Sequence, residues 1–101
     1  TVDIISSNGV ENAIKLGQTL TFTATSLLNG SPYVNVGSWS LLKDDGLTPY
    51  TDTNLTVVST VGNVITIKCQ NQNSFTGVYF KLRYVDSNAQ DELRIQIKSV
   101  F

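Results

Sequence analysis

From Gln18 to Ser26 the chain alternates without a break, with Leu20, Phe22 and Ala24 on one side and Thr19, Thr21, Thr23 and Thr25 on the other. A period of two is the side-chain repeat of a β-strand. A helix, with its 3.6-residue period, would scatter these apolar groups around its axis. The same pattern recurs over residues 2–7, 36–43, 55–61, 64–70, 77–85 and 91–99. Turn-forming clusters separate the runs: Asn8-Gly9, Asn29-Gly30-Ser31-Pro32, Asp44-Asp45-Gly46, Gly62-Asn63, a polar connection over 71–76 and a loop over 86–90. No stretch shows the amphipathic spacing of a helix.

Composition points the same way. Thr, Val and Ile supply 30 of the 101 residues, whereas Ala occurs three times and Glu twice. β-Branched side chains are stiff at the first torsion and suit a pleated sheet. At 41% apolar residues the chain can bury a core, and its length suits one domain over 1–101. Met is absent even at position 1, which fits a domain carried within a longer polypeptide. About seven short strands with regular turns predict an all-β, two-sheet antiparallel sandwich, with a small closed barrel as the competing form. Trp39 shares a strand face with Leu41, opposite Ser38, Ser40 and Leu42. Its indole is expected to fill the space between sheets about 10 Å apart.

The segments "SSNGVENAIKLGQTLTFTATSLLNG", "SWSLLKDDG" and "NVITIKCQNQNSFTGVYFKLRYVDSNAQDELRIQIKSV" together resemble a bacterial or phage immunoglobulin-like (BIG-type) domain. The first strand and the closing "IQIKS" are most similar to the versions appended to tailed-phage virion proteins. The resemblance covers nearly the whole chain and implies an immunoglobulin-like antiparallel β-sandwich. It also implies a non-enzymatic structural or adhesion module on a virion surface, at the tail or neck. Such a module makes weak contacts with host-surface glycans or neighbouring virion proteins. The alternative it implies is a spacer or adhesion module at a bacterial cell surface. Antibody-type domains differ in two respects. Phe22 or Ala24 and Phe80 or Leu82 stand where those domains pair cysteines, and Tyr79 alternates out of phase with a tyrosine corner.

Several chemistries are excluded or disfavoured. The chain has no His, so a Ser-His-Asp or Cys-His site cannot be built from it, and the commonest zinc ligand is missing. No catalytic residue, cofactor or metal site is expected. Cys69 is unpaired and alternates with Ile65 and Ile67, so it reads as a small inward apolar group. The net charge of −1 argues against nucleic acid. No apolar run is long enough to cross a bilayer as a helix.

Asp86 to Glu92 offers oxygen ligands but lacks the glycine and flanking helices of the loop-helix calcium motif, so a hairpin loop is expected there. Asp44-Asp45 reads as a turn rather than a glycosidase pair, since nothing else builds a sugar cleft. Asn29-Gly30-Ser31 and Asn54-Leu55-Thr56 match the glycosylation sequon, which matters only in a eukaryotic secretory pathway.

The candidate binding face comes from strand parity. If 77–85 and 91–99 pair as a hairpin, Tyr79, Lys81, Arg83, Arg94, Gln96 and Lys98 share one outward face. Arg and Tyr favour such a surface as a contact patch, whereas a solvated face that keeps sheets from aggregating is the plainer reading. The partners expected for it are cell-surface polysaccharide or other virion or surface proteins.

Overall fold

The computed structural model of the chain describes residues 2–28, 30–32, 37–86 and 89–99. Among them are nine strands. In chain order they are β1 (Val2–Ser6), β2 (Ala13–Lys15), β3 (Thr19–Leu28), β4 (Ser31–Pro32), β5 (Ser38–Lys43), β6 (Leu55–Val61), β7 (Val64–Cys69), β8 (Tyr79–Val85) and β9 (Gln90–Lys98). One sheet has the order β1-β3-β7-β6, with β4 hairpinned onto β3. The other runs β2-β9-β8-β5. All pairings are antiparallel except that of β2 with β9.

The seven long strands are those the alternation predicts, within one or two residues at their ends; Val36, expected to begin the third, lies outside the described residues. The two extra strands span three and two residues, too few for a period to show. The 71–76 connection contains a single 3₁₀ turn, Asn73–Phe75.

In β3, β7, β8 and β9 the inward face is the one the pattern assigns. Leu20, Phe22 and Ala24 of β3 and Ile65, Ile67 and Cys69 of β7 meet Phe80, Leu82 and Tyr84 of β8 and Ile95 and Ile97 of β9 across the two sheets. Burying each large aliphatic or aromatic group stabilises the fold by about 1.5–3 kcal/mol, which must hold the domain together without a disulfide.

Two expectations about β5 are corrected. Trp39 does not fill the middle of the sandwich. It is half-buried and packs against the core, its ring edge on Tyr84 with centroids 4.8 Å apart. Its Nε1 donates to the Gly62 carbonyl of the opposite sheet's β6–β7 turn, so it bridges the sheets. Phe22, Phe80 and Tyr84 are the large side chains that fill the centre. Leu42, assigned to the solvent side, is only 7% exposed. Residues 48–50 return along β5, with Lys43 N–H donating to Thr48 and Tyr50 N–H to Leu41, and they bridge Leu42 through Pro49.

The first strand splits between the sheets. After β1, Asn8 Oδ1 accepts from Ser6 Oγ and Val10 N–H, and Gly9 takes φ of 78°, turning the chain across to β2. Ile14 is then buried beside Ile97. At the same edge the Ile4 N–H of β1 donates to Asp91 Oδ2 of β9 at 2.9 Å, which ties the sheets together where the hydrogen-bond ladder ends. Asp91→Ala is expected to lower unfolding stability by about 1.5–3 kcal/mol, since it removes a charged acceptor from a backbone donor. A urea titration with an unchanged midpoint would show that water replaces the carboxylate at no cost.

Candidate interaction face

The outward face of the β2-β9-β8-β5 sheet carries the predicted residues. Pairing of β8 with β9 sets Tyr79 opposite Gln96, Lys81 opposite Arg94, and Arg83 opposite Glu92. Lys98 continues the same side of β9. It sits beside Lys15, because β2 pairs parallel with Lys15 opposite Lys98 and with Ile14 and Ile97 turned inward. Lys15 therefore joins the face, and the sequence reading missed it. The available signal was the short alternation Ile14-Lys15-Leu16, with both neighbours buried. The face gathers Lys15, Lys81, Arg83, Arg94 and Lys98, five of the chain's seven cations.

These cations are not equivalent. Arg94 lies over the Tyr79 ring, with its guanidinium carbon 3.7 Å from the centroid. It also grips Asp44 with two parallel bonds, Nε to Oδ1 at 2.8 Å and Nη2 to Oδ2 at 2.9 Å. That hydrogen bonding holds the Asp44 carboxyl below the usual range and raises Arg94. Arg83 Nε donates to Glu92 Oε2 at 2.8 Å and its Nη2 to the Gly46 carbonyl at 2.8 Å; Lys81 Nζ lies 3.6 Å from Glu92 Oε1. The 44–48 loop folds over this part of the sheet and buries Gly46 beside Arg83 and Lys81. Each such surface pair contributes little stability, about 0–1 kcal/mol. Together they fix the side chains and cancel local charge. Among the described residues Lys15 and Lys98 form no ion pair.

The loop is braced by Asp45, whose carboxylate accepts from the Thr48 hydroxyl and from the N–H groups of Thr48 and Leu47, the latter two at 2.8 Å. These bonds, the Thr48 hydroxyl foremost, lower its pKa from 3.8 to about 2. A folded pKa below the unfolded one means that the bracing is complete above pH 3.8 and is lost as pH falls toward about 2. The Leu47 and Thr48 amide resonances are expected to titrate with a midpoint near pH 2. A midpoint near 4 would show that the carboxylate is not held.

The remaining sequence candidates take structural positions. Asp86 Oδ2 accepts from buried Ser26 Oγ at 2.8 Å and its Oδ1 from Ala89 N–H at 2.9 Å. Asp91 and Glu92 lie in β9 rather than in a loop, and there Asp91 holds Ile4 and Glu92 holds Arg83, so the three acids of 86–92 serve separate partners; Ser87 and Asn88 lie outside the described residues. Among the described residues no three of His, Cys, Asp or Glu converge on a metal position. Cys69 is buried, and desolvation pushes its thiol up, away from reactivity. Asn54 is 0% exposed and accepts from the Tyr50 hydroxyl at 2.7 Å, so the folded domain offers no glycan acceptor there. Asn29 of the other sequon is outside the described residues.

No family model matches the sequence, and neither does any curated protein. Solved structures do. The titin M3 domain superposes with a TM-score of 0.57 at 12% identity, over 98% of each chain. The titin I10 domain aligns at a TM-score of 0.47 and 13% identity, over 95% of this chain and 99% of that one. The two-sheet sandwich is thus an immunoglobulin-like fold. At this identity the likeness concerns architecture alone and says nothing of what the domain binds.

Proposed function

We propose that the domain is a non-catalytic display and adhesion module carried on a phage virion, at the tail or neck, which makes weak contacts with host-surface glycans. One observation supports it above the rest: the outward face of the β2-β9-β8-β5 sheet is a pre-ordered patch of Tyr79, Gln96 and cationic side chains. Among the described residues the strands of this face expose one large apolar side chain, Val85 at the edge, and the loop that folds over it exposes Leu47. A protein partner normally docks on an apolar centre with a polar rim, whereas a hydrated, hydroxyl-rich chain fits a surface that is polar throughout. The body measures 43 × 27 × 20 Å, and an elongated sandwich of this kind suits projection from a particle.

Low affinity per domain is compatible with adhesion because many copies act together. A bead densely coated with the domain is expected to retain bacterial capsular or cell-wall polysaccharide about 10²- to 10⁴-fold better than the free monomer does. The retained polymer should keep its chain length. Retention no better than on beads bearing an unrelated β-sandwich would overturn the adhesion reading, and progressive shortening would make the domain a hydrolase.

A further inference from the structure

We infer that Lys15 and Lys98 form an anion-binding subsite, and that the polysaccharide this face takes is an acidic one bearing carboxylates along its length. The inference rests on the adhesion reading above and specifies its ligand class. Two lysines side by side on adjacent strands, about 4.8 Å apart at the backbone, repel each other and weaken the sheet unless an anion sits between them. Elsewhere on this face Glu92 answers Arg83 and Lys81, and Asp44 answers Arg94, but no described acid answers this pair.

The pair is also held in place rather than left on a loose edge. Lys15 N–H donates to Gln18 Oε1 at 2.9 Å, Gln18 N–H to Lys15 O at 3.0 Å, and Leu16 N–H to Lys98 O at 2.9 Å. The Gly17 N–H then anchors the turn to Cys69 O at 2.8 Å. The backbone that presents both ammonium groups is therefore ordered before any ligand arrives, which lowers the entropy cost of binding.

The geometry fits an extended polymer. Gln96 and Tyr79 form the next row along β9 and β8, and Arg94 and Lys81 the row beyond. Arg94 and Lys98 lie four residue steps apart along β9, a span of about 13 Å. A chain of uronate rings laid along β9 would set one carboxylate on the lysine pair, hydroxyls on Gln96 and Tyr79, and a second carboxylate near Arg94, where it would compete with Asp44. A face with five cations and two acids in contact with them is too weakly basic for nucleic acid, which needs many unopposed phosphate contacts.

The test uses the intact domain and three probes: an oligogalacturonate, its methyl ester, and a polyglutamate peptide of equal charge. Amide shifts in a nitrogen-15 titration are expected to map to β2 and β9 with the oligogalacturonate alone, and to diminish with added salt. The Lys15→Ser/Lys98→Ser variant should lose about ten-fold in affinity while folding at least as stably as the parent, because the repulsion between the lysines is gone. Equal binding of the acid and its ester would overturn the inference and leave the adhesion reading standing. Equal binding of polyglutamate, or undiminished affinity in the double variant, would also overturn it. Binding of no probe would sink the inference, and the adhesion reading would then stand or fall on the bead experiment with neutral polysaccharides.

Discussion

Tyr84→Ala is expected to lower unfolding stability by about 3–5 kcal/mol, a large share of the 5–15 kcal/mol that a domain of this size possesses. Tyr84 is fully buried and lies against the edge of Trp39, the side chain that reaches across to the opposite sheet. Its hydroxyl accepts the Gly37 N–H at 2.9 Å, where the chain enters β5. Truncation would open a cavity at the sheet interface, unseat Trp39 and strand a backbone donor together. Tyr84→Phe keeps the ring and isolates the hydroxyl, and should cost about 1 kcal/mol. Guanidinium titrations of both variants check this. A loss below about 1 kcal/mol for the alanine variant would mean that the neighbouring side chains close the cavity.

The second large effect comes from the opposite direction, by adding one methyl group. At Gly37 a Cβ would lie 2.4 Å from Tyr84 Cζ, 2.6 Å from its hydroxyl oxygen and 2.6 Å from the Val85 carbonyl oxygen. Real side chains do not approach so closely, so Gly37→Ala must lift the entry of β5 from β8 or push the ring into a filled core. A cost of about 2–3 kcal/mol is expected, with lost protection from hydrogen exchange over 38–40. Combining it with Tyr84→Ala should cost less than the sum, because the ring contacts vanish. The Val85 carbonyl remains in the way, so the effect should not disappear. Strict additivity of the two changes would show that Gly37 does not pack on Tyr84.

Arg83 and Arg94 are the obvious targets for charge reversal on the interaction face, and the structure argues against using them. A glutamate at 83 would meet Glu92, and one at 94 would meet Asp44. Binding and folding would then change together. Lys15 and Lys98 stand clear of those pairs and separate the two effects.

How far the sequence reaches can be followed through single residues. Ile65, Ile67 and Cys69 of β7 alternate with Thr66 and Lys68, and their burial follows from that alternation because a strand has only two sides. The outward set Tyr79, Lys81, Arg83, Arg94, Gln96 and Lys98 follows for the same reason, once β8 and β9 are joined by a short hairpin. Lys15 escaped because β2 is three residues long and pairs parallel with a strand some eighty residues away, a partner that no local pattern names. Leu42 was misplaced because it lies on the solvent side of its strand, and only the returning 48–50 segment covers it.

The sequence by itself therefore determined the class of fold, the inward faces of β3, β7, β8 and β9 and the absence of histidine chemistry, since these depend on side-chain type and a local repeat. The tertiary structure alone decided which strands became neighbours, that Asp91 would join the two sheets, and that Trp39 would bridge them from the side. It also decided the electrostatics of the face. Among the described residues Asp44 and Glu92 neutralise three of its cations and no acid answers Lys15 and Lys98, and that division depends on distances across strands far apart in the chain.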